Sequence, residues 1–130
     1  MKKPNVGNIK ITPADKVFSQ WIRLRDKECR RCHSTVEFNS RGLPVTHQAS
    51  HFKGRGKQGT RFEPLNVDTL CYGCHAYLGA QPDEHLAWQI SMKGQAMVDR
   101  LILASNTYHK KQYDLEKIYW SNKLKEDYGV

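Results

Sequence analysis

Two Cys-x-x-Cys pairs constrain this chain more than any other feature of its sequence. Cys29 and Cys32 form the first pair, and Cys71 and Cys74 form the second. Zinc is held tetrahedrally by thiolates, and a short spacer lets one tight turn present both sulfurs to the same ion. The spacing therefore predicts one structural zinc site that joins two distant turns of the chain. Disulfide pairing of the same cysteines is the alternative.

The charge balance predicts a polyanionic partner. The 130 residues include 21 Lys and Arg against 13 Asp and Glu, which gives a net charge of +8. This excess favours nucleic acid as the partner, and no long apolar run supports a membrane. Met1–Lys3 is followed by a polar stretch rather than by an apolar signal segment. We therefore expect a cytoplasmic, reducing compartment, in which paired cysteines bind metal more often than they oxidise.

The remaining pattern predicts an α+β fold. Residues 1–11 are expected to be a flexible basic arm. Thr12 and Asp15 flank a proline in a helix-start pattern, and this helix should end near Asp26. Two short strands are predicted at 36–38 and 45–47, and a strand end at His51. Helices are expected after the second cysteine pair and over 82–93, 96–104 and 112–126. The C-terminal one carries Leu115, Ile118 and Tyr119 on one stripe.

Three polar residues stand in a recurring order around the second cysteine pair. His51 follows the predicted strand, Asn66 precedes Cys71, and His75 follows Cys74 directly. This order resembles the HNH nuclease motif, a ββα-metal finger. The resemblance implies that His51 is the general base, that Asn66 holds the loop, and that His75 binds a catalytic divalent ion. Neutral imidazole can accept a proton from water at cellular pH, and a divalent ion can stabilise the departing oxygen.

The acid that most HNH motifs carry before the base is missing here. Ala49 and Ser50 precede His51. Counting with a period of two places His47 on the same strand face as His51, so His47 is the predicted substitute ligand. Pairing of its ring with a backbone group is the alternative. Glu63 and Asp68 are weaker candidates.

A glycine-rich basic loop follows His51. Its cations are expected to contact DNA phosphates, since they lie on a flexible segment beside the predicted base; they are Lys53, Arg55, Lys57 and Arg61. An ordinary solvated loop is the alternative. A second aromatic and basic cluster, Tyr108 with Lys110, Lys111 and Tyr113, is a further candidate for DNA contact.

A narrower resemblance concerns the segments 47–52, 54–55, 60–66 and 71–75. They are similar to the phage NinG/Rap recombination nucleases, which also tend to lack the acid before the histidine, and the likeness extends over roughly 25–126. It implies a metal-dependent endonuclease that cuts branched recombination intermediates such as D-loops and Holliday junctions. The expected cofactors are structural zinc and catalytic magnesium or manganese.

These expectations describe one domain over 12–130. Its zinc and HNH core spans 29–80, and its helical part spans 82–130. A homodimer that uses the C-terminal helix remains open, and a phage-encoded chain would act in the cytoplasm of the host cell. Two alternative functions also remain open. One is a zinc-stapled module that binds DNA without cutting it, and the other is an HNH nuclease that acts on linear duplex DNA.

Overall fold

The structure, a computed structural model, describes residues 9–130, and the structural statements below concern that part of the chain. Most of the predicted arm over 1–11 lies outside the described residues. The elements are α1 (Pro13–Asp26), β1 (Gln48–His51), α2 (Gln58–Arg61), a 3₁₀ turn (Pro64–Asn66), β2 (Val67–Leu70), α3 (Tyr72–Ala80), α4 (Pro82–Lys93), α5 (Gln95–Ser105) and α6 (Tyr113–Tyr128). The predicted α+β class is confirmed.

Helix α1 begins where the sequence predicts. The Thr12 hydroxyl accepts a hydrogen bond from the Asp15 amide at 3.2 Å, and the Asp15 carboxylate accepts one from the Thr12 amide at 2.7 Å. This reciprocal capping box satisfies two donors that a helix start leaves without partners. The helix ends at Asp26 because Lys27 adopts a left-handed conformation, with φ of 61°.

A two-stranded antiparallel sheet lies at the centre of the fold. Strands β1 and β2 pair so that Gln48 faces Leu70 and His51 faces Val67. Because side chains alternate along a strand, the sheet presents two faces. Ala49 and Val67 pack with residues of α1 and α6, namely Phe18, Ile22 and Trp120. Leu70 belongs to a second cluster with Cys29, Cys74, Leu78 and the partly buried Trp88.

The segment between the first cysteine pair and β1 differs from the prediction. The predicted strands at 36–38 and 45–47 are wrong, because an isolated bridge between Phe38 and Pro44 forms in their place and no ladder continues it. Proline has no amide hydrogen to extend a ladder, and His47 has a left-handed φ of 67° that interrupts the extended chain. The strand that pairs with β1 is instead β2, which the sequence pattern did not indicate.

The helices of the C-terminal part begin and end close to the positions that the sequence predicts. Helix α4 starts at Pro82, Gly94 separates it from α5 with φ of 86°, and α6 ends at Tyr128. The stripe of Leu115, Ile118 and Tyr119 is exposed, whereas Trp120 and Leu124 are the buried residues of α6. None of the helices within residues 9–130 combines the length and the hydrophobicity that crossing a membrane requires.

Candidate functional site

The four cysteines converge on one point, and we call them the cysteine cluster. The sulfurs of Cys29, Cys32, Cys71 and Cys74 all lie within 4.8 Å of one another. A tetrahedral site with zinc–sulfur bonds of about 2.3 Å needs sulfurs about 3.8 Å apart. The Cys32 and Cys71 sulfurs are 3.6 Å apart, and all four cysteines are free thiols rather than disulfides. The cluster is therefore positioned to hold a metal ion, as the spacing predicts, and its donor set fits structural zinc.

The surroundings of the cysteine cluster suit thiolate ligands. In each pair the amide of the second cysteine donates to the sulfur of the first at 3.4 Å. Arg31 also donates to the Cys74 sulfur at 3.4 Å, which places a cation beside a group of negative ligands. Hydrogen bonding with Ser34 lowers the pKa of Cys32 to about 6, whereas burial raises the pKa of Cys74 to about 12. A coordinated zinc ion would hold both as thiolates.

The second cysteine pair also forms the start of α3. Cys71 is the N-cap residue, and its sulfur accepts the hydrogen bond from the Cys74 amide. His75 follows in the first helical turn, where its amide donates to the Cys71 carbonyl at 2.9 Å. The position of His75 is thus fixed by the same turn that presents two of the four sulfurs.

His51 and His75 line one cavity. It has a volume of about 600 Å³, and its other lining residues include Arg55 and Lys57 from the basic loop. His51 lies at the end of β1, and His75 lies in the first turn of α3. The β–β–α order therefore brings the two histidines to the same hollow, beside two cations.

The ring of His51 is held in one tautomer. Its Nε2 lies 2.8 Å from the carbonyl oxygen of Arg61, and a carbonyl only accepts, so Nε2 carries the proton. The lone pair is then on Nδ1, which is buried and has no hydrogen-bond partner among the described residues. Burial and the nearby charge of Arg55 lower the pKa of His51 to about 4. The imidazole is therefore neutral at cellular pH.

Asn66 holds the loop that follows His51 through hydrogen bonds to its backbone. It is fully buried, and its side chain makes three hydrogen bonds to the backbone of this loop. The Oδ1 atom accepts from the Lys53 amide at 2.8 Å, and Nδ2 donates to the carbonyls of Lys53 and Thr60 at 2.9 and 3.0 Å. The loop is thereby closed on itself next to the cavity.

Arg61 is the main correction to the predicted DNA contacts. Only 2 % of its surface is exposed to solvent, and its guanidinium makes hydrogen bonds inside the protein. The expectation that Arg61 contacts DNA phosphates is therefore wrong. Two bonds at 3.0 and 2.7 Å go to the Asp15 carboxylate, and others reach the Tyr113 hydroxyl and the carbonyls of Lys10 and Arg55. We call this group the arginine hub. Burial of Asp15 acts to raise its pKa, but hydrogen bonds from Arg61 and Thr12 outweigh this and lower it.

The other three loop cations occupy different places. Arg55 and Lys57 line the cavity, and Arg55 Nε lies 3.8 Å from the Asp15 carboxylate. Lys53 is held through its backbone by Asn66, and its ammonium lies 5.1 Å from the centre of the Phe52 ring. Arg55 and Lys57 are thus the cations that the fold brings to the two histidines.

His75 is oriented by a residue that the sequence analysis missed. Its Nδ1 is hydrogen-bonded to the side-chain oxygen of Gln48, so Nδ1 carries the proton and Nε2 keeps the lone pair, which is free to bind a metal ion. Burial, followed by the charge of Arg55, lowers the pKa of His75. Only the position of Gln48 at the start of β1 could have indicated this contact, and no motif marks it.

The predicted substitutes for the missing acid are not brought to this cavity. His47 does not share the strand face of His51, because it leaves the strand before β1 begins at Gln48. Its Nδ1 is 2.9 Å from the Thr46 hydroxyl, and its Nε2 is 3.0 Å from the Ser34 hydroxyl. Asp68 is buried, and its carboxylate accepts from Gln89 and Lys93 at 2.9 Å each. Glu63 lies at the start of the 3₁₀ turn.

Comparison with known proteins adds no family to this picture. Models of known protein families do not match the sequence, and a search of curated proteins finds no match either. The motif residues and the geometry of the cavity are therefore the features that indicate a function.

Proposed function

We propose that this protein is a metal-dependent endodeoxyribonuclease with His51 as its general base. The observation that carries the proposal is the neutral ring of His51, which lines one cavity together with His75 and the cations Arg55 and Lys57. Since Nδ1 carries the lone pair, a water molecule that donates to it would be the nucleophile.

The reaction assigns one task to each group. His51 Nδ1 takes a proton from water, and the resulting hydroxide attacks the phosphorus of a phosphodiester. The bond between phosphorus and the 3′ oxygen breaks, and the departing 3′ oxygen takes up a proton from solvent, which leaves a 5′-phosphate and a 3′-hydroxyl. Arg55 and Lys57 offset the negative charge of the phosphate in the cavity, and Asn66 holds the loop that carries both cations. The low pKa of His51 keeps the base unprotonated throughout the cellular pH range.

A catalytic divalent ion would have one protein donor here, the Nε2 atom of His75. A single imidazole is a sparse donor set, and magnesium and manganese prefer oxygen ligands, so phosphate oxygens and water would complete the coordination. Such an ion supplies Lewis-acid stabilisation of the developing charge on the leaving oxygen. The contact with Gln48 orients the ring of His75 for this role.

The preference for branched DNA is part of the proposal and derives from the NinG/Rap resemblance. The net charge of +8 favours any nucleic acid, and the cavity itself does not distinguish a branched from a linear substrate. The homodimer and the cytoplasmic location stay predictions from the sequence.

The decisive experiment compares His51→Ala with the unmutated protein on branched and linear DNA, with magnesium and with manganese. Because general-base catalysis contributes about 100- to 10,000-fold, we expect cleavage to fall by that factor while DNA binding persists. His33→Asn is the matched control. His33 is an exposed histidine with a left-handed φ of 66°, which asparagine tolerates. Zinc content is measured in every variant to exclude loss of the cysteine cluster.

Two outcomes would redirect the proposal. Binding without cleavage under every divalent ion would indicate a zinc-stapled DNA-binding module. Equal cleavage of linear and branched DNA would retain the nuclease and remove the branched preference.

A further inference from the structure

An exposed tyrosine lies in the connection between α5 and α6, which we call the aromatic–basic segment (residues 106–112). Tyr108 is 87 % exposed, and it is followed by His109, Lys110 and Lys111, which are exposed as well. A tyrosine ring with so little burial contributes little to the packing of the fold. Such a ring beside lysines has the composition of surfaces that stack on unpaired bases.

This segment shares a groove with the proposed catalytic cavity. A second hollow, of about 680 Å³, lies between the aromatic–basic segment and the basic loop, and Tyr108, Lys110 and Lys57 are among its lining residues. Gly56 and Lys57 line both this hollow and the one that contains His51 and His75. A strand that leaves the proposed scissile site past Lys57 would therefore reach Tyr108.

Close packing fixes the spacing between the two sides of the groove. A Cβ atom at Gly59 would lie 2.2 Å from the Ala104 carbonyl oxygen and 2.9 Å from a ring carbon of His109. Only glycine permits this approach of α2 to the end of α5. The basic loop and the aromatic–basic segment are thus held side by side, with Lys57, Lys110 and Lys111 around the same hollow.

We propose that the aromatic–basic segment binds an unpaired DNA strand next to the scissile phosphate, with Tyr108 stacked on a base. Lys110 and Lys111 contact the phosphates on either side of that base. Bases in a duplex are already stacked and cannot accept this contact, so the segment favours substrates with an unpaired arm. This inference rests on the proposed nuclease function and gives it a structural source of substrate selectivity.

The test is a binding measurement that does not depend on cleavage. Fluorescence anisotropy with calcium in place of magnesium compares a linear duplex with the same duplex carrying an unpaired arm. Tyr108→Ala is expected to weaken binding of the arm-bearing DNA about tenfold and to leave the duplex unchanged, whereas Tyr108→Phe retains the stacking ring and the affinity. Tyr119→Ala is the control, because Tyr119 is an exposed tyrosine of α6 that lines neither hollow.

The outcomes separate this inference from the proposed function. Unchanged binding of the armed DNA by Tyr108→Ala, or an equal loss on both DNAs, overturns the stacking role. If His51→Ala still abolishes cleavage in that case, the nuclease stands without this selectivity device. An unmutated protein that binds neither DNA removes both proposals.

Discussion

The two histidines of the cavity are positioned by two regions that work on different principles. His75 follows the cysteine cluster, whose ligands come in two short pairs with fixed spacing. His51 is held by the carbonyl of Arg61, whose side chain is the centre of the arginine hub. The cluster depends on a local pattern that positions four sulfurs for a metal ion, whereas the hub uses one guanidinium to join segments far apart in the chain. The spacing of the cysteine pairs predicts a metal site, whereas no local pattern in the sequence predicts the buried ion pair between Arg61 and Asp15.

Removal of the metal should destabilise the protein more than any change to the arginine hub. Structural zinc sites contribute about 10–16 kcal/mol of apparent binding free energy, which exceeds the stability of an ordinary domain. We expect one zinc per chain, and we expect Cys74→Ser or a strong chelator to unfold the second core cluster around Leu70. Elemental analysis and circular dichroism measure both effects. Ser34→Ala is the control, because it removes a neighbour of Cys32 and no ligand. Full structure after complete zinc loss would contradict the structural role.

Disruption of the arginine hub should cost less than zinc removal. Arg61→Lys keeps the positive charge but cannot reproduce the two parallel bonds to Asp15. Hydrogen bonds that involve a charged group contribute about 1.5–3 kcal/mol each, and at least two are lost, so we expect a melting temperature lower by roughly 10–20 °C. Arg41→Lys, at an exposed turn, should change the free energy of unfolding by less than about 0.5 kcal/mol. Equal effects of the two variants would show that the hub is dispensable.

The arginine hub also shows which parts of the site can be predicted from the sequence and which cannot. Arg55 and Arg61 belong to the same glycine-rich loop and look equivalent in the sequence. The partner that draws Arg61 inside, Asp15, lies 46 residues away, and in the sequence it is recognisable only as a capping residue. The cysteine pairs, the Thr12 cap and the Gly94 break act over a few residues, and the structure confirms all three. Strand β2 and the Gln48 contact depend on tertiary pairing, so local patterns did not indicate them.

Acidification should reveal the cost of burying His51 as a neutral ring. The pKa of His51 is lowered from 6.5 to about 4 in the folded protein, so as the pH falls below 6.5 the unfolded chain takes up the proton first. Stability from this residue is therefore fully present above pH 6.5 and is lost towards pH 4. Between pH 7 and 4.5 the loss is about 2–3 kcal/mol. Urea unfolding of the protein and of His51→Gln measures it, since glutamine does not titrate.

The same measurement also tests whether the arginine hub holds His51 in a buried position. Both proteins keep every other titrating group, so the difference between their stability changes belongs to His51. A difference close to zero would mean that His51 is solvated and that the carbonyl of Arg61 does not hold it in a buried position.

The smallest effect should come from the helix cap that shares Asp15 with the hub. Thr12 donates to and accepts from Asp15, and Asp15 also receives both bonds from Arg61. Loss of a capping hydroxyl costs about 1 kcal/mol, so Thr12→Ala alone should lower the free energy of unfolding by that amount. A double-mutant cycle with Arg61→Lys then measures whether cap and hub act together. Additive costs would make the cap a purely local device, as its sequence signature suggests. A coupling above about 0.5 kcal/mol would extend the long-range network to the start of α1 and would make the capping box a part of the region that holds His51.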